Sequence, residues 1–241
     1  MRLIAAVLAT ALAAALVAFQ PFAGRRRYRR LRAELATNPD ARLRHYHRGI
    51  LNEWLAVAVV AVIGLLAGRH PASIGLRGGP NARAAASDVL MVGVVLAASV
   101  LIFRFGGREL RELLRRQARG FLELLPRSRR ERLTFAAVAV TAGVCEEVLF
   151  RGFGIAYVRW LWPAASRPFL IIITSVAFGL AHLYQGPRGV VLTGAVGAYL
   201  AWLTLSTGSL LPAIAIHALL DLRVLGLPDL EPATASAGRA P

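Results

Sequence analysis

Apolar runs of about membrane-spanning length recur along the chain, and clusters of arginine separate them. Runs of this kind fall at residues 3–22, 50–66, 89–105, 133–150, 169–183, 190–205 and 210–225. A hydrocarbon core about 30 Å thick asks for about 20 apolar residues per helical crossing, and only helices satisfy every backbone polar group within one such segment. The expected fold class is therefore all-α, a polytopic membrane helix bundle of about seven or eight transmembrane helices enclosing a polar cavity. A further short stretch over 154–162, carrying Tyr157, Trp160 and Trp162, reads as an eighth, half-buried element at the membrane interface. No internal repeat stands out.

Composition supports this class. Of the 241 residues, 56% are hydrophobic and 17% charged, with a mean hydropathy of +0.55, well above that of a soluble domain. The net charge of +16 comes from 29 basic residues, every one of them arginine, against 13 acidic ones. A charge of that size raises the question of nucleic acid as a partner. The arginines cluster between apolar segments instead of alternating with aromatics on one polar face, so no nucleic-acid partner is expected. Membrane lipid is the expected partner. The single cysteine, Cys145, excludes an intramolecular disulfide.

Arginine placement also suggests a topology. The loop 24–49 carries nine arginines and the loop 104–132 ten, whereas 69–87 has three. By the positive-inside rule the two rich loops share the cytoplasmic side of a cell membrane, and the inner membrane of a bacterium is the expected location. The first run has the features of a secretory signal cleaved near Ala23. The arginine cluster that follows it favours an uncleaved anchor with its N-terminus outside. The linker 107–132 is amphipathic, with Leu110, Leu113, Leu114 and Leu122 among arginines, and reads either as a helix on the anionic inner leaflet or as a solvated basic one. The expected organisation is N-terminal helices over 1–132, a helical core over 133–226 and a disordered tail over 227–241.

Ionisable side chains inside apolar helices mark functional sites. In GVCEEVLFRGF, Glu147 precedes Arg151 by four residues, the favourable order for a helical ion pair, and Glu146 is turned about 100° away, free to face something else. In AFGLAHL, Phe178 and His182 share one helix face. In AIAIHALLDL, His217 and Asp221 do the same. Each motif alone has a bland reading, a core histidine bonded to a carbonyl or an interfacial charge pair. Together they place two imidazoles and two carboxylates on different apolar helices, and meeting in one polar cavity is the arrangement that spares them from lipid. Such a cavity can deprotonate water. Other polar residues are expected to be bystanders: Cys145 as a buried thiol, His45, His47 and His70 as solvated loop residues, Glu53 and Asp88 near segment ends, and Ser175 as a packing hydroxyl.

The three motifs, EEVLFR, FGLAH and HALLD in that order over 133–226, resemble those of the CAAX protease and bacteriocin-processing family of intramembrane endopeptidases, also called the abortive-infection family. The resemblance implies a helical membrane fold with a conical cavity in which a glutamate-activated water attacks a peptide bond. It implies that Glu146 and His182 activate the water, that His217 and Asp221 bind the oxyanion, that Glu147 and Arg151 hold the first motif in place, and that Phe178 packs beside the site. An ionised Asp221 cannot donate to an oxyanion, so it must be protonated, or else orient His217 or ligate a metal. No cofactor is certain. If zinc is bound, Glu146, His182 and His217 are its ligands, with a fourth position open. Two readings from other classes stand beside the protease: a proton-coupled transporter, and a non-catalytic scaffold or immunity protein.

Overall fold

A computed structural model describes residues 1–77, 82–107, 109 and 121–226. The expectations for residues 108 and 110–120 of the linker, for the side chain of Asp88 and for the tail over 227–241 lie outside the described residues. The chain is helical throughout the described part: α1 (Arg2–Glu34), α2 (Ala41–Leu66), α3 (Ala82–Phe105), α4 (Arg129–Leu161), α5 (Arg167–Ala181), α6 (Gly186–Thr207) and α7 (Leu211–Leu222).

Among the described residues four helices are long and apolar enough to cross a membrane: α1, α2, α4 and the rod over Leu183–Thr207 that contains α6. Two of the other expected crossings lie in shorter helices. Helix α5 has 15 residues and α7 has 12, which at 1.5 Å per residue gives about 22 and 18 Å, less than the hydrocarbon core.

Two elements differ from the sequence reading. The arginine-rich stretch expected as a loop over 24–49 is mostly helix, because α1 runs on to Glu34 and α2 begins at Ala41. Arginine is a good helix former, and Tyr28, Leu31, Leu43 and Tyr46 give these turns a buried face. The stretch over 154–162 is not a separate interfacial element. It continues α4 through a π-helical segment, Glu147–Phe153, into Gly154–Leu161, so that one rod of 33 residues carries the whole first motif.

Helix α4 is the central rod. Half of its most apolar window is buried, against 11% in α1 and in α2. Helices α2 and α7 pack on it, α5 pairs with α6, and α3 lies against α7. Around the outside, Leu3, Phe22, Leu65, Leu90, Leu133 and Val191 are each at least two-thirds exposed, the outward apolar surface that a helix bundle turns to lipid. The α5–α6 contact is made through glycines. A Cβ at Gly179 would meet the Val190 carbonyl oxygen at 2.7 Å and the Gly194 Cα at 3.2 Å, and backbone cannot give way as a side chain does. Gly179→Val is expected to lower stability by about 1–3 kcal/mol through overpacking, read as a lower unfolding temperature in detergent.

The start of α4 is tied to the N-terminal helices. Ser128 and Glu131 form a capping box. Glu131 also receives Arg42 from α2 at 2.7 Å, both side chains being buried. Glu123 accepts from the Tyr28 hydroxyl and pairs with Arg32 at 2.9 Å, while Arg42 Nε donates to its carbonyl at 2.8 Å. These bonds hold residues 121–125 against α1 and α2 beside the cavity described next.

Candidate active site

The π-helical segment Glu147–Phe153 is buried at every position. Single π-turns interrupt α-helices most often at functional sites. Here the turn carries the ion pair that the sequence spacing predicts: Arg151 Nη1 donates to Glu147 Oε1 at 2.8 Å, with both side chains fully buried. Arg151 Nη2 donates to the Gly197 carbonyl at 3.2 Å, and its guanidinium carbon stands 4.1 Å from the centre of the Phe178 ring. The guanidinium thus binds α4 to α6 and, through the aromatic face, to α5. A Cβ at Gly197 would come within 3.0 Å of both Arg151 Nη2 and Phe178 Cδ1, so the absent side chain makes room for the clamp.

Glu147 has a second partner that the sequence reading did not assign. His217 Nδ1 lies 2.8 Å from the same Oε1, so the Nδ1–H donates to the carboxylate and Nε2 points elsewhere. His182 is oriented the same way by a different acceptor: its Nδ1 lies 2.9 Å from the Phe178 carbonyl oxygen, which leaves Nε2 free. Both free nitrogens face Glu146. Its Oε2 is 3.9 Å from His182 Nε2 and 3.9 Å from His217 Nε2. Asp221 Oδ2 is 3.8 Å from His217 Nε2, and its side chain is 41% exposed. Asp221 therefore sits at the rim, and Glu147 is the residue that orients His217.

All six motif residues named from the sequence meet. Phe178 packs between them, edge-on to Phe150 at 5.3 Å and to His217 at 5.8 Å, and 4.7 Å from the His182 ring. Glu146, His182, His217 and Asp221 line a cavity of about 470 Å³, together with Glu53 and Tyr184. The 3.9 Å gaps are too long for direct hydrogen bonds, and a water placed off the line between Oε2 and either Nε2 reaches both at ordinary bond length. The arrangement can hold a water between one carboxylate and two imidazoles.

Zinc fits this donor set less well. Zinc–ligand bonds of about 2.0–2.1 Å give tetrahedral neighbours about 3.4 Å apart, whereas the carboxylate oxygen is 3.9 Å from each imidazole nitrogen, and among the described residues no group of three or more His, Cys, Asp and Glu side chains is arranged to hold a metal ion. No step below is routed through zinc. Incubating the purified protein with 1,10-phenanthroline is expected to leave its hydrolytic activity unchanged within a factor of two, measured as product formed per unit time.

Other residues sit differently from their sequence readings. Glu53, expected near a segment end, lies well inside α2, and its Oε2 is buried without a hydrogen-bond partner among the described residues. His45, expected in a solvated loop, is half-buried on α2 and lines the cavity. His47 is exposed, and His70 is exposed and caps a short 3-10 turn by accepting from the Ala72 N–H at 3.3 Å. Cys145 is a fully buried free thiol. Ser175 donates to the Ile171 carbonyl at 2.5 Å.

An all-helical fold with apolar rods of spanning length, closed around a carboxylate and two imidazoles, defines the class: a membrane protein with an internal polar site. Residues 129–223 match the family model described as type II CAAX prenyl endopeptidase Rce1-like, a match that supports the CAAX protease family for this part of the chain. Neither a curated protein nor a solved structure matches the chain.

Proposed function

We propose that the protein is an intramembrane endopeptidase of the CAAX type, hydrolysing a peptide bond near the membrane with water activated by Glu146 and His182. The observation that carries this reading is the convergence of two imidazole Nε2 atoms on Glu146 Oε2, each at 3.9 Å, inside the cavity. In the proposed reaction Glu146 accepts a proton from the water while His182 Nε2 holds it, and the water oxygen bonds to the substrate's carbonyl carbon. His217, protonated on both nitrogens against the Glu147 carboxylate, donates from Nε2 to the oxyanion. Asp221 assists when it carries a proton and otherwise stabilises the imidazolium. Glu147 and Arg151 hold the π-turn and the His217 ring in place.

The same proposal covers the setting. The chain is multi-pass in a bacterial inner membrane with its arginine-rich segments on the cytoplasmic side, and its partners are membrane lipid and a protein or peptide that enters the cavity from the bilayer. The experiment compares peptide N-termini in membrane fractions of cells carrying the wild-type chain or Glu146→Gln at equal abundance. Termini present only with the wild type are expected, and they identify the substrate. Identical sets of termini, with both proteins folded, would overturn the proposal.

A further inference from the structure

Glu53 lies inside an apolar helix, which makes it costly unless it has a use. It projects from α2, the helix packed on α4, into the cavity that Glu146 lines. Its Oε2 is buried and unbonded among the described residues. The charges of Glu146, Asp221, His217 and Arg27 all act on it. Arg27, from α1, is the one fully cationic group in that set, yet it forms no ion pair with Glu53 and donates instead to Gln20 Oε1 at 3.1 Å.

Glu147 is balanced by Arg151. That leaves three carboxyls, Glu53, Glu146 and Asp221, around one cavity. Like charges in a low-dielectric site do not all ionise together, and the buried carboxyl with no basic group close to it is the cheapest to neutralise. Glu146 faces two imidazoles and Asp221 faces one. Glu53 faces none within 4 Å. The same geometry separates two roles, since paired carboxyls in unlike surroundings take up acid and base functions.

We propose that Glu53 is a second acid–base carboxyl of this cavity, holding the proton that passes to the leaving amine when the peptide C–N bond breaks. This role rests on the protease reading above. Glu146 takes one proton from water as the water oxygen bonds to the carbonyl carbon and an electron pair moves to the carbonyl oxygen. That pair then reforms the C=O bond, the C–N bond breaks, and the nitrogen takes the proton from Glu53. Transfer of the proton held by Glu146 to the Glu53 carboxylate resets the site, so the net change is the addition of one water across the bond.

The test treats the full chain in lipid bilayers with N,N′-dicyclohexylcarbodiimide, which forms adducts with protonated carboxyls in apolar surroundings, and maps adducts by peptide mass. An adduct at Glu53 is expected. In cells, Glu53→Gln is expected to lower the yield of Glu146-dependent N-termini at least tenfold, and Glu53→Asp to restore part of it. Absence of the Glu53 adduct, or wild-type yields from Glu53→Gln, overturns this role while Glu146-dependent termini persist. If the wild type and Glu146→Gln give the same termini, the protease reading itself has failed and this role falls with it. The adduct needs no variant, so a folding defect in Glu53→Gln does not blunt that arm.

Discussion

Arg151→Met is expected to lower stability by about 3–5 kcal/mol, enough to leave little folded protein, because it strands the Glu147 carboxylate in a site with no solvent. Arg151 and Glu147 are each at most 1% exposed, and among the described residues their 2.8 Å pair is the charge compensation of both, with His217 as a second partner of Glu147. Glu147→Gln is the converse case, with a cation left buried and the His217 ring deprived of its carboxylate. The double variant Glu147→Gln/Arg151→Met should recover most of the lost stability, since replacing a whole buried pair by neutral groups of similar volume is often neutral. Its activity should stay low, because a neutral amide can still accept from His217 Nδ1–H but no longer stabilises the imidazolium. Unfolding temperature in detergent, measured for both single variants and the double, separates the two effects. An Arg151→Met protein as stable as the wild type would contradict the clamp.

How far the sequence reveals the molecule differs from element to element. The Glu147–Arg151 pair, the turn of Glu146 away from it and the shared face of Phe178 and His182 follow from helical spacing, and the ion pair survives the π-turn because residues four apart remain near one face in either helix type. The meeting of His217 with Glu147 is tertiary. Seventy residues separate them, and spacing says only that both are stranded in apolar helices. Glu53 was misplaced for a definite reason. The apolar run begins near residue 50, so Glu53 looks terminal, but α2 begins at Ala41 on amphipathic turns rich in arginine, which puts Glu53 well within the helix. Gly197 carries no readable signal, since a glycine in an apolar helix is common there and its carbonyl's role depends on a guanidinium from another helix. Helices α5 and α7 are largely apolar yet shorter than the hydrocarbon core, so composition alone does not tell them from the longer spanning rods.

In the proposed reaction the chemistry falls to Glu146, the one carboxylate of the first motif not consumed by holding structure. Glu147 accepts from both Arg151 and His217, whereas Glu146 has no hydrogen bond within the described residues and faces the two free imidazole nitrogens. An amide in its place keeps size and polarity but cannot take a proton from water. A positioned general base contributes about 10²–10⁴-fold, and the loss should come in kcat with KM little changed, because the proposed role of Glu146 is toward the water and not the peptide. His182→Ala should fall in the same range by releasing the water.

The decisive measurement is the cleavage rate of the peptide identified from the membrane N-termini, using purified wild-type protein and Glu146→Gln reconstituted in lipid bilayers at matched folded amounts. A rate for Glu146→Gln lower by about a thousandfold, within the range expected of a positioned general base, is the predicted result. Equal rates for the two proteins would contradict the assignment of Glu146 as the base and, with it, the reading of this cavity as a hydrolytic site.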